Sequence, residues 1–236
     1  MNITENTTVA DIAAALPSSV RVFQRHGIDF CCGGKTPLAV ACQERGIPFP
    51  ALVSAIEASA TTKQSDDRDW TREPLQALID HIVITYHNAL REELPRLESM
   101  ATRVARVHAV KAPHLLKLEA IVSELSAELR THMRKEEFVL FPAIQMIETG
   151  DPHPAVPVAG PIAVLEHEHD HAGALLSELR AMTHDYVAPP WACQTFRALY
   201  QGLSELESAM HVHVHLENNV LFPRALALSG VDRTIG

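Results

Sequence analysis

Aromatic side chains are scarce in this 236-residue sequence, with Phe, Tyr and Trp together at 5%. No stretch alternates Val or Ile with polar residues, so a β-sandwich or barrel is not expected. Cysteine is also scarce. The four thiols, Cys31, Cys32, Cys42 and Cys193, are too few for a secreted disulfide scaffold and point to a reducing cytosol. No apolar run approaches the roughly 20 residues of a membrane span. The first residues lack the basic start and apolar centre of a signal peptide. A cytoplasmic protein without membrane contact is therefore expected. Positive charge is in deficit, with 20 Lys and Arg against 29 Asp and Glu for a net charge of −9. A broad basic face for nucleic acid is thus not expected. What the sequence has in excess is histidine: 14 residues, more than Phe (7), Tyr (3) and Trp (2) combined.

Residues 60–72 are polar and charged and lack apolar periodicity, which reads as a linker. Residues 1–59 before it form a small unit of short helical patterns broken by Pro17, Gly27, Gly33-Gly34 and Gly46. Residues 73–236 carry four long patterns at helical spacing, over about 73–109, 114–148, 161–182 and 191–228. The expected fold is all-α: a four-helix up-down-up-down bundle preceded by a small helical domain that holds the Cys-Cys pair.

Each long helix has one apolar stripe stepping by three and four, and each stripe is interrupted by histidine. The first runs Val83, His87, Leu90, Leu94, Leu97, Ala101, Val104. The second runs Leu118, Val122, Leu125, Leu129, His132, Glu136, Val139, and the third Ile162, Leu165, His169, Ala172, Leu176, Leu179. The fourth runs Leu199, Leu203, Leu206, Met210, His213, Glu217, Val220. Residues at i and i+4 share a face, so His132 converges with Glu136 and His213 with Glu217. The spacing repeats: His87 and His132 are 45 residues apart, His169 and His213 44. Two helical hairpins are inferred, each giving one His from its first helix and a His-x-x-x-Glu from its second.

Burying four imidazoles and two carboxylates without strong partners costs several kcal/mol. A metal centre supplies those partners. Four His and two Glu exceed one tetrahedral zinc and are too rich in imidazole for calcium or magnesium. Two carboxylates from opposite hairpins can each bridge two metals and leave two His for each. Mixed nitrogen and oxygen donors with open positions suit iron first and manganese second. The expected cofactor is two iron ions bridged by Glu136 and Glu217. Glu128, one turn before His132, and Glu168, next to His169, are candidates to line the approach to the metals or to tune a ligand.

Several motifs add to this pattern: Asp-Phe-Cys-Cys-Gly-Gly at 29–34, Tyr86-His87, Arg106-Val-His108, His132-x-x-x-Glu136-Glu, Glu168-His169-Asp170 and Glu217-Asn-Asn-Val-Leu-Phe-Pro-Arg224. In this order the chain resembles the iron-sulfur cluster repair di-iron proteins, also called the repair-of-iron-centres family, over essentially its whole length. The resemblance implies a hemerythrin-like bundle with ligands at His87, His132, Glu136, His169, His213 and Glu217, and an acidic route to the metals at Glu128 and Glu168. It also implies a bacterial cytoplasmic protein, induced by nitrosative and oxidative stress, that restores damaged iron-sulfur clusters by supplying iron. Its partners would be proteins with damaged clusters, and its small ligands nitric oxide or dioxygen. Whether the centre turns over nitric oxide as an enzyme is left open. A homodimer meeting through the small domains is compatible with the sequence.

Three other readings compete. A hemerythrin-like sensor or binder of dioxygen or nitric oxide would use the same bundle, but here four His stand where that fold's oxygen carriers have five. His167-Glu168-x-x-His171 matches a zinc-protease motif, yet leaves His87, His132 and His213 without a role. A ferritin-like oxidase wants Glu-x-x-His on two helices, and one helix offers it. Cys31 and Cys32 are candidates for redox work or transient iron holding, in a turn whose glycines suggest unusual backbone angles. Cys42 and Cys193 read as packing residues. Pro142 and Pro223 are expected to kink or end their helices.

Overall fold

The computed structural model describes residues 2–31, 33–61, 68–150 and 157–230. Cys32 and residues 62–67 of the expected linker lie outside them. The described residues are helical, without named strands, and none of their helices is long and apolar enough to cross a membrane. They divide into two compact units: residues 1–79 with 211–236, and residues 80–210. Helix α4 below continues through Thr61, into the first residues of the expected linker.

The first unit opens with α1 (Val9–Ala15), α2 (Ser19–His26), α3 (Leu38–Arg45) and α4 (Phe49–Thr61). Thr8 caps α1 by accepting from the Asp11 amide at 3.1 Å. Helices α2 and α3 each end on a left-handed glycine, Gly27 (φ 64°) and Gly46 (φ 65°). Phe23, Phe30, Ile12, Leu38, Leu52 and Ile56 form the core, with Val212 packed against it. Gly33 and Gly34 do not take left-handed angles as expected. They are needed for space: a Cβ on Gly34 would stand 2.8 Å from the Phe30 carbonyl oxygen and from Ala10 Cβ. Arg224, in the C-terminal part of this unit, donates to the carbonyls of Trp70 and Glu73 at 2.7 Å each.

Four long helical segments follow. The first is α5 (Leu75–Ile82) continued by α6 (Asn88–His108), and the second α7 (His114–Lys135) continued by α8 (Phe141–Glu148). The third is α9 (Ala159–Met182), and the fourth α10 (Gln194–Leu216) continued by α11 (Phe222–Leu228). These are the four helices expected, with ends moved by up to three residues. Within the unit 80–210, α6 packs on α7 and α7 on α9. Arg180 of α9 pairs with buried Glu207 of α10 at 2.7 Å. Helices α10 and α6 approach closely at Gly202, where a Cβ would meet Leu97 at 2.8 Å. The stripe residues Leu90, Leu94, Leu97, Leu118, Leu125, Leu165 and Leu176 are buried along the bundle interior.

Three of the joins are π-helical turns: Val83–His87, Glu136–Leu140 and Glu217–Leu221. The closing bonds span five residues, from the Phe141 amide to the Glu136 carbonyl and from the Phe222 amide to the Glu217 carbonyl. These turns explain why Pro142 and Pro223 end nothing. Each π turn opens the regular ladder just ahead of proline, which then sits in what is in effect a new first turn where no N–H is required. The inserted residue also shifts the stripe. Val139, expected inside, is 40% exposed, and Leu140 is buried instead.

Candidate metal centre

Four of the expected donors lie in the unit 80–210, on three helices. His87 closes the first π turn, His132 is in the last turn of α7, Glu136 opens the second π turn, and His169 is midway along α9. All four are buried, and Glu136 is wholly so. Its carboxylate lies between two imidazoles, with Oε2 3.3 Å from His87 Nε2 and Oε1 3.3 Å from His132 Nε2. Neither oxygen forms a hydrogen bond of good geometry. His169 Nε2 meets His132 Nε2 at 3.0 Å. One donor atom each from His132, Glu136 and His169 fits within 4.8 Å. Burial opposes the charge on Glu136, but His132 and His87 more than offset it and hold the carboxyl well below the usual range.

The outer nitrogens are engaged elsewhere. His87 Nδ1 is 2.6 Å from Glu137 Oε1, and Arg91 grips the same carboxylate, with Nη2 2.6 Å from Oε2. His132 Nδ1 is 3.0 Å from Glu168 Oε2, and Lys135 pairs with the other Glu168 oxygen. Burial raises Glu168, and the bonds to Lys135 and His132 outweigh it, so its carboxyl is lowered. A carboxylate on Nδ1 favours the tautomer that carries its proton there and turns the Nε2 lone pair inward. Two such imidazoles flank a buried carboxylate that lacks a proper donor. This donor set fits a divalent cation with mixed nitrogen and oxygen ligands.

The remaining expected donors, His213 and Glu217, lie in the other unit. They are buried one turn apart, with His213 Nε2 2.9 Å from Glu217 Oε1. Next to them, Asn219 donates to His215 Nδ1 at 3.0 Å. Burial lowers His215 to about 4, outweighing its contacts with the Phe30 and Ala13 backbone, so it is neutral at ordinary pH.

The other candidates are distributed unevenly. Glu168 reaches His132, whereas Glu128 lies toward solvent with its carboxylate 3.2 Å from His171 Nε2. Glu124 stands 3.7 Å from the same nitrogen. His167 and His171 are exposed, and Glu168 between them is committed to His132 and Lys135, an arrangement that offers the zinc-protease motif no support. Cys31 is buried, its thiol donating to Asp29 Oδ1 at 3.2 Å. Cys32 lies outside the described residues. Cys42 packs in the core, and burial pushes its thiol up. Cys193 is not a packing residue: it is exposed, 3.4 Å from His108 Nε2. Sequence reasoning missed Glu137 and Arg91. Their signal was the Glu136-Glu137 doublet and an arginine four residues after His87.

Comparison with known proteins agrees with this geometry. Residues 78–225 match the hemerythrin HHE cation binding domain, and residues 5–60 match a domain of unknown function, DUF542. The chain is 42% identical over 219 residues to the iron-sulfur cluster repair protein YtfE of Cronobacter sakazakii, spanning 93% of this chain and 96% of that one. It is 41% identical over the same shares to the proteins of that name from Citrobacter koseri and Escherichia coli.

Proposed function

The chain belongs to the iron-sulfur cluster repair family built on a hemerythrin HHE domain, and from that membership we propose that it holds two iron ions and supplies iron to proteins with damaged clusters. The ligands are His87, His132, Glu136, His169, His213 and Glu217, with the two glutamates bridging. One observation carries the reading: His87 and His132 keep Nδ1 on Glu137 and Glu168 and present Nε2 to buried Glu136, which lacks a proper donor of its own. The hemerythrin match supports it further, because residues 78–225 contain all six ligands.

Bound iron supplies an exchangeable metal and an affinity for nitric oxide and dioxygen. The protein's part is to hold it loosely enough to be given up. Imidazole and carboxylate release iron more readily than thiolate does, and protonation of the imidazoles competes with the metal. Glu137 and Glu168 fix the ligand rings and raise their basicity. The setting is the bacterial cytoplasm under nitrosative and oxidative stress, with a small Cys-Cys domain at 1–59 tethered through 60–72 to the bundle at 73–236. Cys31 and Cys32 serve as redox groups, Glu128 and Glu168 serve the approach to the metal, and any homodimer meets through the small domains.

The test is elemental analysis of anaerobically purified protein, wild type beside His132→Ala and His213→Ala, followed by iron transfer to an enzyme with a damaged cluster. About two irons per chain, reduced in both variants together with transfer, is the expected result. One zinc per chain unchanged by either substitution overturns the reading.

A further inference from the structure

Within the unit 1–79 with 211–236, the turn carrying Cys31 is gripped from a helix distant in sequence. Asn219 Nδ2 donates to the Phe30 carbonyl at 3.1 Å and to the Cys31 carbonyl at 3.4 Å, with His215 Nδ1 as its other acceptor. An amide nitrogen has two hydrogens, so both are spent in this contact. The Phe30 ring is buried, with His215 and His211 edge-on at 5.6 and 6.1 Å. On its other side the turn is closed by Asp29, which accepts from the Cys31 amide at 2.9 Å, the Cys31 thiol at 3.2 Å and the Gly33 amide at 2.9 Å. The thiol is thereby covered, and 6% of Cys31 is exposed.

Asn219 lies in the π turn Glu217–Leu221, two residues after the glutamate that opens it. The wider turn sets the angle between the two side chains, and Glu217 is fully buried. We propose that Asn219 is a positioning residue that ties the Cys31 turn to this π turn, so that metal held at Glu217 keeps the Cys31 thiol covered and loss of metal releases it. The inference rests on Glu217 being a ligand. Metal at Glu217 steadies the turn, the turn steadies Asn219, and Asn219 holds the two carbonyls that flank the thiol. Linkage makes the effect reciprocal: a covered thiol favours bound metal.

The experiment follows alkylation of the full chain by iodoacetamide, site by site, by peptide mass mapping with fragment spectra that separate Cys31 from Cys32. Iron-loaded and chelator-stripped samples are compared, and iron content is measured in each. Wild type is expected to react slowly at Cys31 when loaded and about tenfold faster when stripped, the scale of losing one or two hydrogen bonds in a closed–open equilibrium. Asn219→Ala and the isosteric Asn219→Asp are expected to react fast at Cys31 even when loaded, with buried Cys42 of the same unit unchanged. Variants that keep the wild-type rate and its iron dependence at Cys31 overturn the proposal. So does a parallel rise at Cys42, which would make Asn219 a residue of general stability. A wild-type rate that ignores bound iron overturns the coupling alone. Absence of iron from every sample overturns the metal reading first and the coupling with it.

Discussion

Glu137 accepts from His87 Nδ1 at 2.6 Å and is itself clamped by Arg91. It does for the first helix what Glu168, held by Lys135, does for His132. Both carboxylates fix a ring plane and leave Nε2 facing Glu136. Replacing Glu137 with alanine is expected to lower iron affinity by about 10- to 100-fold, read by competition with a chromogenic chelator. Glu128→Gln, which loses a contact with His171 and touches the approach rather than a ligand ring, is expected to leave equilibrium affinity unchanged. Equal loss in both variants would mean that net negative charge, not ring orientation, sets the affinity.

Gly34 is not left-handed, yet its missing Cβ matters, because that atom would stand 2.8 Å from the Phe30 carbonyl oxygen. A backbone oxygen held by Asn219 cannot step aside as a flexible side chain can. Gly34→Ala is therefore expected to destabilise the protein by about 1–3 kcal/mol, measured by urea unfolding. Gly160→Ala, with nothing within 4 Å of the added atom, is expected to be neutral or slightly stabilising. Similar behaviour of the two variants would contradict the close approach.

Helical periodicity alone placed the four long helices and set His87, His132, Glu136 and His169 on interior stripes, because burial follows the 3.6-residue repeat. The π turns were not legible. A stripe of three- and four-residue steps allows either Val139 or Leu140 after Glu136, and the wider π turn gives the inward place to Leu140. Glu137 was hidden because it lies beside the stripe and its partners, His87 and Arg91, belong to another helix 50 and 46 residues away. Asn219 escaped because its partners lie about 190 residues away, a separation at which no local pattern speaks. The glycines at 33 and 34 were recognised as special, but for backbone angles rather than for the room they leave.

Tyr200 gives an alkaline limb to stability. Its hydroxyl lies 3.2 Å from His114 Nε2, and burial pushes it up to about 12 from the ordinary value near 10. Between those two values the unfolded chain has released the proton and the folded chain has kept it. Stability is full below about pH 10 and falls as pH rises toward about 12. Tyr200→Phe is expected to cost about 1 kcal/mol at neutral pH through the lost hydrogen bond and to flatten this limb in urea titrations. A variant with an unchanged alkaline slope would assign the limb to another group.

Glu136 is where binding and folding are expected to separate. It is fully buried and flanked by two imidazoles at 3.3 Å, and neither of its oxygens has a well-formed hydrogen bond. In the metal-free fold His132 and His87 hold the charge of this carboxylate, and an imidazole, unlike a carboxylate, readily sheds its own charge when its partner is removed. Methionine fills a similar volume without charge. Metal-free Glu136→Met is therefore expected to be about as stable as the metal-free wild type, since neutral imidazoles facing methionine leave no uncompensated buried charge. The same variant is expected to lose most of its iron and all of the stabilisation that iron adds to wild type. Melting curves of both proteins, with iron and after chelation, separate the two effects. If the metal-free variant melts well below metal-free wild type, Glu136 is a structural partner of His87 and His132 rather than a carboxylate kept for a metal.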